Sequence, residues 1–591
     1  MRLRPLAFLP LAALAAFAVH CGGGTSQVGT NPTPDGGTID PDGGGGGGEG
    51  GSTLPNPDAT GTKTASKVDL LLVVDNSASM ADKAGLLSQS VGKLIEKLAA
   101  GGDLHVGIVS SSLGSFGGDV CPAAPSDGDR RAHLQTNDKD GNPVAAASQG
   151  FLSYTSGGDL SSVITNTQKI LNGVGQTGCG LEAQLETMYR FLSAPDPSNS
   201  VKTVNGQARY EGIDATLLAQ RAAFLRPDSL VTIVMLTDEG DSSVDPRSVG
   251  GQGWAFMANQ FPGSTVFRAD GKSTTAPRAT SVCQSDPGSP DCTSCGFASS
   301  CEATDPACQK LKADPECKIN GGYWGPGEDQ LNVRFHRMKE RFGLDPQFPL
   351  SRYVNALTKV RVPNIADEHE VTPSGSYEKI GPYREDVASC TNPLFAAKLP
   401  AGVGDEICNL PVGPRDKDLV HFAIIGGVPS NLVAATGFPT DWNKVTGANP
   451  LSFDFTGLDA HMIESTAPRP GLPAPSNTKG DNGADPVHGR EYTTNGDDLQ
   501  FACTFTLPTP RTCTAQDPSC DCARSINPPL CGINPGEQLK AKAYPTIREL
   551  LVARALGDRG IVGSICPAVP ANAYDATMDA IAARVGPKLL K

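Results

Sequence analysis

The chain has 591 residues and a formal charge of −14, from 49 basic and 63 acidic side chains. That balance argues against a nucleic-acid binder, and no later stretch approaches the ~20 apolar residues of a membrane-spanning helix. Gly (68) and Pro (48) are frequent, so much of the chain is loop, and the 17 Cys imply disulfides if the chain is exported. An export signal is present: Arg2 and Arg4 precede an apolar run from Leu6 to Val19. Residues 1–20 are expected to be a signal peptide. Residues 21–62, with the glycine run Gly43 to Gly48, lack the apolar surface to offset their ordering entropy and read as a flexible tether. The folded part is expected over 63–591.

Its first element is the apolar stretch Val68 to Val74, broken only by Asp69, which reads as a strand buried on both faces of a parallel sheet. The strand runs into Asp75, with hydroxyls at Ser77 and Ser79. Oxygen donors at the carboxyl end of a buried strand stand where open α/β sheets bind ligands, and they suit a hard divalent cation. Leu86, Leu87, Val91, Leu94, Ile95 and Leu98 recur at helical spacing before Gly101-Gly102, and Leu104 to Val109 reads as a second strand. Residues 110–178 carry little pattern, and the acidic stretch 137–142 reads as a polar surface turn. Thr177 lies just before a helix with Leu181, Leu185, Met188 and Leu192. Leu217 to Leu225 suggests a further helix. Leu230 to Leu236 is a second buried strand, and it too ends in acid, at Asp238.

Six Cys fall between Cys283 and Cys317, and Cys390 and Cys408 would make a local pair. Residues 242–416 read as a disulfide-stapled insertion. Leu419 to Gly427 returns to strand character, with His421 as a core or edge histidine. Residues 428–540 form a second loop-rich insertion with five Cys. His461 and His488 lie in it with no acid–nucleophile arrangement around them. Helices near Pro545 to Ala555 and Ala573 to Leu590, with a strand at Gly560 to Cys566, close the chain. Cys566 is expected to pair with Cys531 or another Cys of that cluster.

The pattern Asp75-x-Ser77-x-Ser79 after a buried strand resembles the opening motif of the von Willebrand factor type A domain. The resemblance covers 67–240, then 418–427 and 545–590. It implies an α/β fold: a doubly wound, mostly parallel sheet with helices on both faces and two long disulfide-rich insertions. It also implies a metal-ion-dependent adhesion site, with Asp75, Ser77, Ser79, Thr177 and Asp238 around Mg²⁺ (or Mn²⁺ or Ca²⁺). A Cys121–Cys179 disulfide would pin the loops of that site. At the amino terminus, Ala18-Val19-His20-Cys21 resembles a bacterial lipoprotein box, whereas Ala16-Phe17-Ala18 offers ordinary cleavage. Lipidation of Cys21 would leave 16 Cys, an even number.

These expectations describe an exported lipoprotein, anchored to the bacterial envelope at the outer membrane or cell surface. It would bind a protein or surface ligand offering a carboxylate, touching membrane through its lipid alone. An exported hydrolase with chemistry in the insertions, or a structural envelope protein, are the alternatives. No Gly-x-Ser-x-Gly or His-Glu-x-x-His motif is present, and no enzyme activity is expected.

Overall fold

The structure is a computed structural model. It describes residues 56–370, 382–476, 484–514, 517, 519–523 and 528–590. The segment expected to be a signal peptide, Cys21 and most of the expected tether lie outside the described residues.

Six strands form the central sheet: β1 (Lys67–Val74), β2 (Asp103–Ser110), β3 (Leu152–Tyr154), β4 (Leu230–Leu236), β5 (Val420–Gly426) and β6 (Gly560–Ser564). Their order is β6-β5-β4-β1-β2-β3. All neighbours are parallel except the short edge strand β3, which runs antiparallel to β2. The order reverses at β1, so the crevice between the carboxyl ends of β1 and β4 is the topological switch point where such sheets bind ligands.

The apolar runs have a direct physical reason. Alternate residues of a strand face opposite sides, and both sides are covered. Leu71 and Val73 of β1, Ile233 and Met235 of β4 and Phe422 and Ile424 of β5 enter one apolar cluster. It is covered by α3 (Gln184–Leu192), α4 (Ala215–Phe224) and α5 (Ile547–Ala555). Leu70, Leu72 and Val74 with Val234, Leu236, Ala423 and Ile425 enter the other. That face carries α1 (Ala81–Ala99), α2 (Leu160–Gly173) and α6 (Asp575–Val585). The apolar positions read for α1 are all buried. Its stop uses Gly102 at φ 110°, a backbone angle that favours glycine. Asp69, the polar residue in β1, is buried and paired with Arg226, whose Nε donates to Oδ1 at 2.8 Å. Pairing is what makes a buried charge tolerable there.

Between β4 and β5 the chain is mostly short turns, stapled by Cys283–Cys292, Cys295–Cys317, Cys301–Cys308 and Cys390–Cys408. Its Phe342, Phe348, Tyr353 and Phe395 belong to the same cluster as Leu71 and Val73, so this region shares the main core. Between β5 and α5, the ribbon Cys503–Thr512 with Glu537–Ala543 is stapled by Cys513–Cys520 and Cys522–Cys531. Cys503, the first of its cluster, takes Cys566, and Cys531 takes Cys522. With Cys121–Cys179 these bonds pair sixteen of the seventeen Cys and leave Cys21 over.

The tether boundary differs from the expectation of 62. Residues 56–62 are docked on the body: the Ala59 amide bonds the Thr358 carbonyl at 2.8 Å, Gly61 bonds Asp416, and Thr62 bonds the Pro414 carbonyl. Ala59 is buried and Asp58 pairs with Lys417 and Lys359. Composition hid this, because the docking uses backbone groups and one small side chain. Among the described residues no helix is long and apolar enough to cross a membrane.

Candidate metal-binding site

Strand register builds the site. Val74 lies opposite Ser110 on one side and Leu236 on the other. The next residues, Asp75, Ser111 and Thr237, therefore stand side by side at the sheet's carboxyl edge. Backbone bonds continue the ladder there: Asp75 to the Leu236 carbonyl at 2.9 Å and Ser111 to the Val74 carbonyl at 3.1 Å.

Asp75 is buried and fixed from several directions. Its Oδ1 accepts from the Ser77 amide at 2.8 Å and the Ser111 hydroxyl at 3.3 Å, and its Oδ2 from the Thr237 hydroxyl at 2.9 Å. Ser77 and Ser79 face each other, Oγ to Oγ, at 3.1 Å, and the Ser79 hydroxyl donates to Asp238 Oδ1 at 2.9 Å. Four of the five residues implied by the type A resemblance, from two strand ends more than 150 residues apart in sequence, thus share one hydrogen-bonded cluster.

Thr177 is placed differently. It is exposed and its hydroxyl donates to Asp127 Oδ2 at 2.5 Å. Its loop still reaches the site: the Gly178 amide bonds the Asn76 carbonyl at 2.8 Å, and a Cβ on Gly178 would lie 2.4 Å from the Asn76 side chain. The Cys121–Cys179 disulfide holds this loop. What the loop sends toward the cluster is Glu182, three residues beyond Cys179. Glu182 is buried, and its Oε1 has no hydrogen-bond partner.

Lys83 is the second residue that sequence reading passed over. It is buried on α1, and its Nζ bonds Asp238 Oδ2 at 2.8 Å and the Ser79 carbonyl at 2.7 Å. The available signals were an acid directly before an apolar helix and a lysine four residues after Ser79, on the same helical face.

The cluster is short of positive charge. Burial, then the Asp238 charge, raises the Asp75 carboxyl to about 6, against the opposing Ser77 and Thr237 bonds. Glu182 is raised well above the usual carboxylate range by burial and then by Glu239, Asp75 and Asp238. Glu239 is raised to about 8, by burial first, with Lys542 opposing and Asp238 and Asp75 adding. Buried carboxylates that hold one another's protons on gain most from a cation. The donor set is all oxygen, and Glu182 Oε1 is an orphaned acceptor; both suit Mg²⁺ or Mn²⁺ better than a soft metal. Ser79 and Glu239 are partly exposed and open the cluster to solvent.

No family model matches the chain, and no curated protein matches it. Two solved structures do. One is the pilus adhesin RrgA from Streptococcus pneumoniae, at 15% identity over 32% of this chain and 22% of that chain, with a TM-score of 0.14. The other is the adhesive tip pilin GBS104 from Group B Streptococcus agalactiae, at 14% identity over 30% of this chain and 48% of that one, also at 0.14. This chain therefore matches about a fifth and about half of those proteins. Likeness at that level carries no argument about function.

Proposed function

We propose that the chain is an exported binding protein of the type A kind, whose contact site is a hard divalent cation, Mg²⁺ or Mn²⁺, at the carboxyl edge of β1 and β4. The observation that carries this reading is the joining of Asp75, Ser77, Ser79 and Asp238 through the Ser77 amide and two serine hydroxyl bonds across that edge. Asp75 and Asp238 would hold the ion with the two serines, and Glu182, rather than Thr177, would supply the ligand from the loop held by the Cys121–Cys179 disulfide. When bound, the ion supplies an electrophilic position for a carboxylate of a protein or surface ligand. The chain's own part is to keep these oxygens in place: Thr237 and the Ser77 amide orient Asp75, and Lys83 holds the far oxygen of Asp238.

The disulfide-rich body supports an exported location. Cys21 is proposed as the lipid attachment, since the other sixteen Cys pair with one another; a Cys21→Ser chain should be shed from the envelope fraction. The function is tested by retention of partners from the cell's surroundings on immobilised protein. Retention should require divalent cation and should be lost in Asp75→Ala. Retention indifferent to both chelator and substitution would rule out this site as the operative one. A chelator effect on melting temperature alone would favour a structural envelope protein.

A further inference from the structure

The second Cys-rich region holds another cluster with a different chemistry. His461, Asp485 and His488 bring one donor atom each to within 4.8 Å of one another. His461 Nε2 lies 3.4 Å from Asp485 Oδ1, and His488 Nδ1 lies 3.3 Å from the same oxygen. Both nitrogens are buried without a hydrogen-bond partner. The rings meet edge to face, with centroids 4.8 Å apart.

The outer nitrogens settle the tautomers. His461 Nδ1 is 2.7 Å from Asp459 Oδ1, and His488 Nε2 is 2.7 Å from Glu491 Oε1. A carboxylate can only accept, so each outer nitrogen carries the proton. Each inner nitrogen of a neutral ring then offers a lone pair toward Asp485 Oδ1, which is itself an acceptor. Three acceptors facing one point repel unless a metal ion, or a proton on an inner nitrogen, lies between them. The separations exceed ordinary hydrogen bonds. The two separations from Asp485 Oδ1 match the edge of a tetrahedron around an ion with bonds of about 2.0–2.1 Å, about 3.3 Å, and the two ring nitrogens, within 4.8 Å of each other, would draw together on a bound ion.

The surroundings are built to hold this arrangement. Asp485 Oδ1 accepts the Val487 and His488 amides at 2.7 and 3.2 Å. Arg469 is buried, clamps Glu491 with its Nη2 at 2.7 Å from Oε1, and reaches the His461 carbonyl at 2.8 Å. The Thr504 amide ties the Val487 carbonyl to the disulfide-anchored ribbon. Carboxylates on the outer nitrogens of both histidines are the usual orienting partners of metal-bound imidazole.

We infer that His461, Asp485 and His488 form a binding site for a divalent metal of the Zn²⁺ class, separate from the all-oxygen cluster at the sheet edge. Two imidazoles and one carboxylate leave a fourth position for water or an outside donor.

The probe is zinc alone, added to the purified, disulfide-intact chain after chelator treatment and dialysis, and read by elemental analysis and competition with a chromogenic chelator. One tightly held zinc per chain is expected. His488→Ala and Asp485→Asn should lose it by at least about 100-fold in affinity, and Glu491→Gln by about 10–100-fold. Asp75→Ala should keep it. Should the substitutions disturb folding, cobalt loading of the unaltered chain decides: visible absorption of a four-coordinate ion is expected. A folded chain that takes up no zinc and gives no cobalt bands overturns the inference, leaving protonated histidines on Asp485. Zinc binding unchanged in His488→Ala overturns it equally.

Discussion

Lys83 is where residue-level physics is most exposed. Its ammonium and Asp238 are both buried, and each is the other's compensation. Removing one partner of a buried pair leaves an uncompensated charge, which costs about 3–5 kcal/mol. Lys83→Met should therefore lose roughly that stability in chelator, measured by urea unfolding, and Mg²⁺ should restore part of the loss by taking over the neutralisation. Glu182 and Thr177 make a contrasting pair: Glu182→Ala should weaken cation binding by an order of magnitude or more, whereas Thr177→Ala should leave it unchanged, because its hydroxyl is engaged with Asp127. The reverse ranking in a calorimetric titration would return the ligand role to Thr177. Glu549, behind the site, tests the electrostatics by pH. Burial, then Asp241, raises its carboxyl to about 8. A carboxyl raised on folding binds its proton more tightly in the native state, so its contribution is complete in acid and is lost as pH rises through about 8. Glu549→Gln, which cannot ionise, should gain melting temperature relative to the parent as pH climbs from about 5 to about 8. A gain confined to acid pH would contradict this assignment.

At the scale of elements, the buried strands and the helix α1 were legible because their pattern is dictated by burial. A strand covered on both faces must be apolar throughout, and α1 must repeat its apolar stripe. Strand β3 was not legible: three residues at a sheet edge, held by pairing with Leu104, His105 and Val106, need no pattern of their own. Helix α2 escaped for a related reason, since Val163, Thr167, Ile170 and Leu171 are its only buried positions. In the first Cys-rich region the short helix Met338–Phe342 starts no earlier, because Arg337 takes a left-handed backbone and Arg334 turns inward to pair with Asp329. The Cys121–Cys179 bond joins the loop after β2 to the loop before α3 across 58 residues. Closing a loop of that length stabilises by about 4 kcal/mol in the chain-entropy account. Replacing both cysteines by serine should lower unfolding free energy by that order and should weaken cation binding, since the disulfide holds the loop that carries Glu182. A stability loss with unaltered cation binding would show that the loop needs no pin.

For the whole molecule, the two acid-ended strands carried the information about where a ligand belongs, and the parallel order β6-β5-β4-β1-β2-β3 places both ends at one edge. Four of the site's oxygen-bearing residues were readable because they sit next to strands that could be read. Glu182 was hidden because its loop follows a stretch without pattern, and only packing brings it to Asp75. The histidine site was hidden for the same reason: His461 and His488 are 27 residues apart in a region stapled by disulfides rather than by periodic elements. The central claim is that the sheet edge binds a hard cation through Asp75 and Asp238. Isothermal titration of Mg²⁺ and Mn²⁺ into the full, chelator-treated chain, beside Asp75→Ala and Asp238→Ala of verified fold, tests it most directly. Saturable binding of one ion, lost in both variants, is the expected result; no saturable binding by the parent chain, or binding that survives both substitutions, would contradict it.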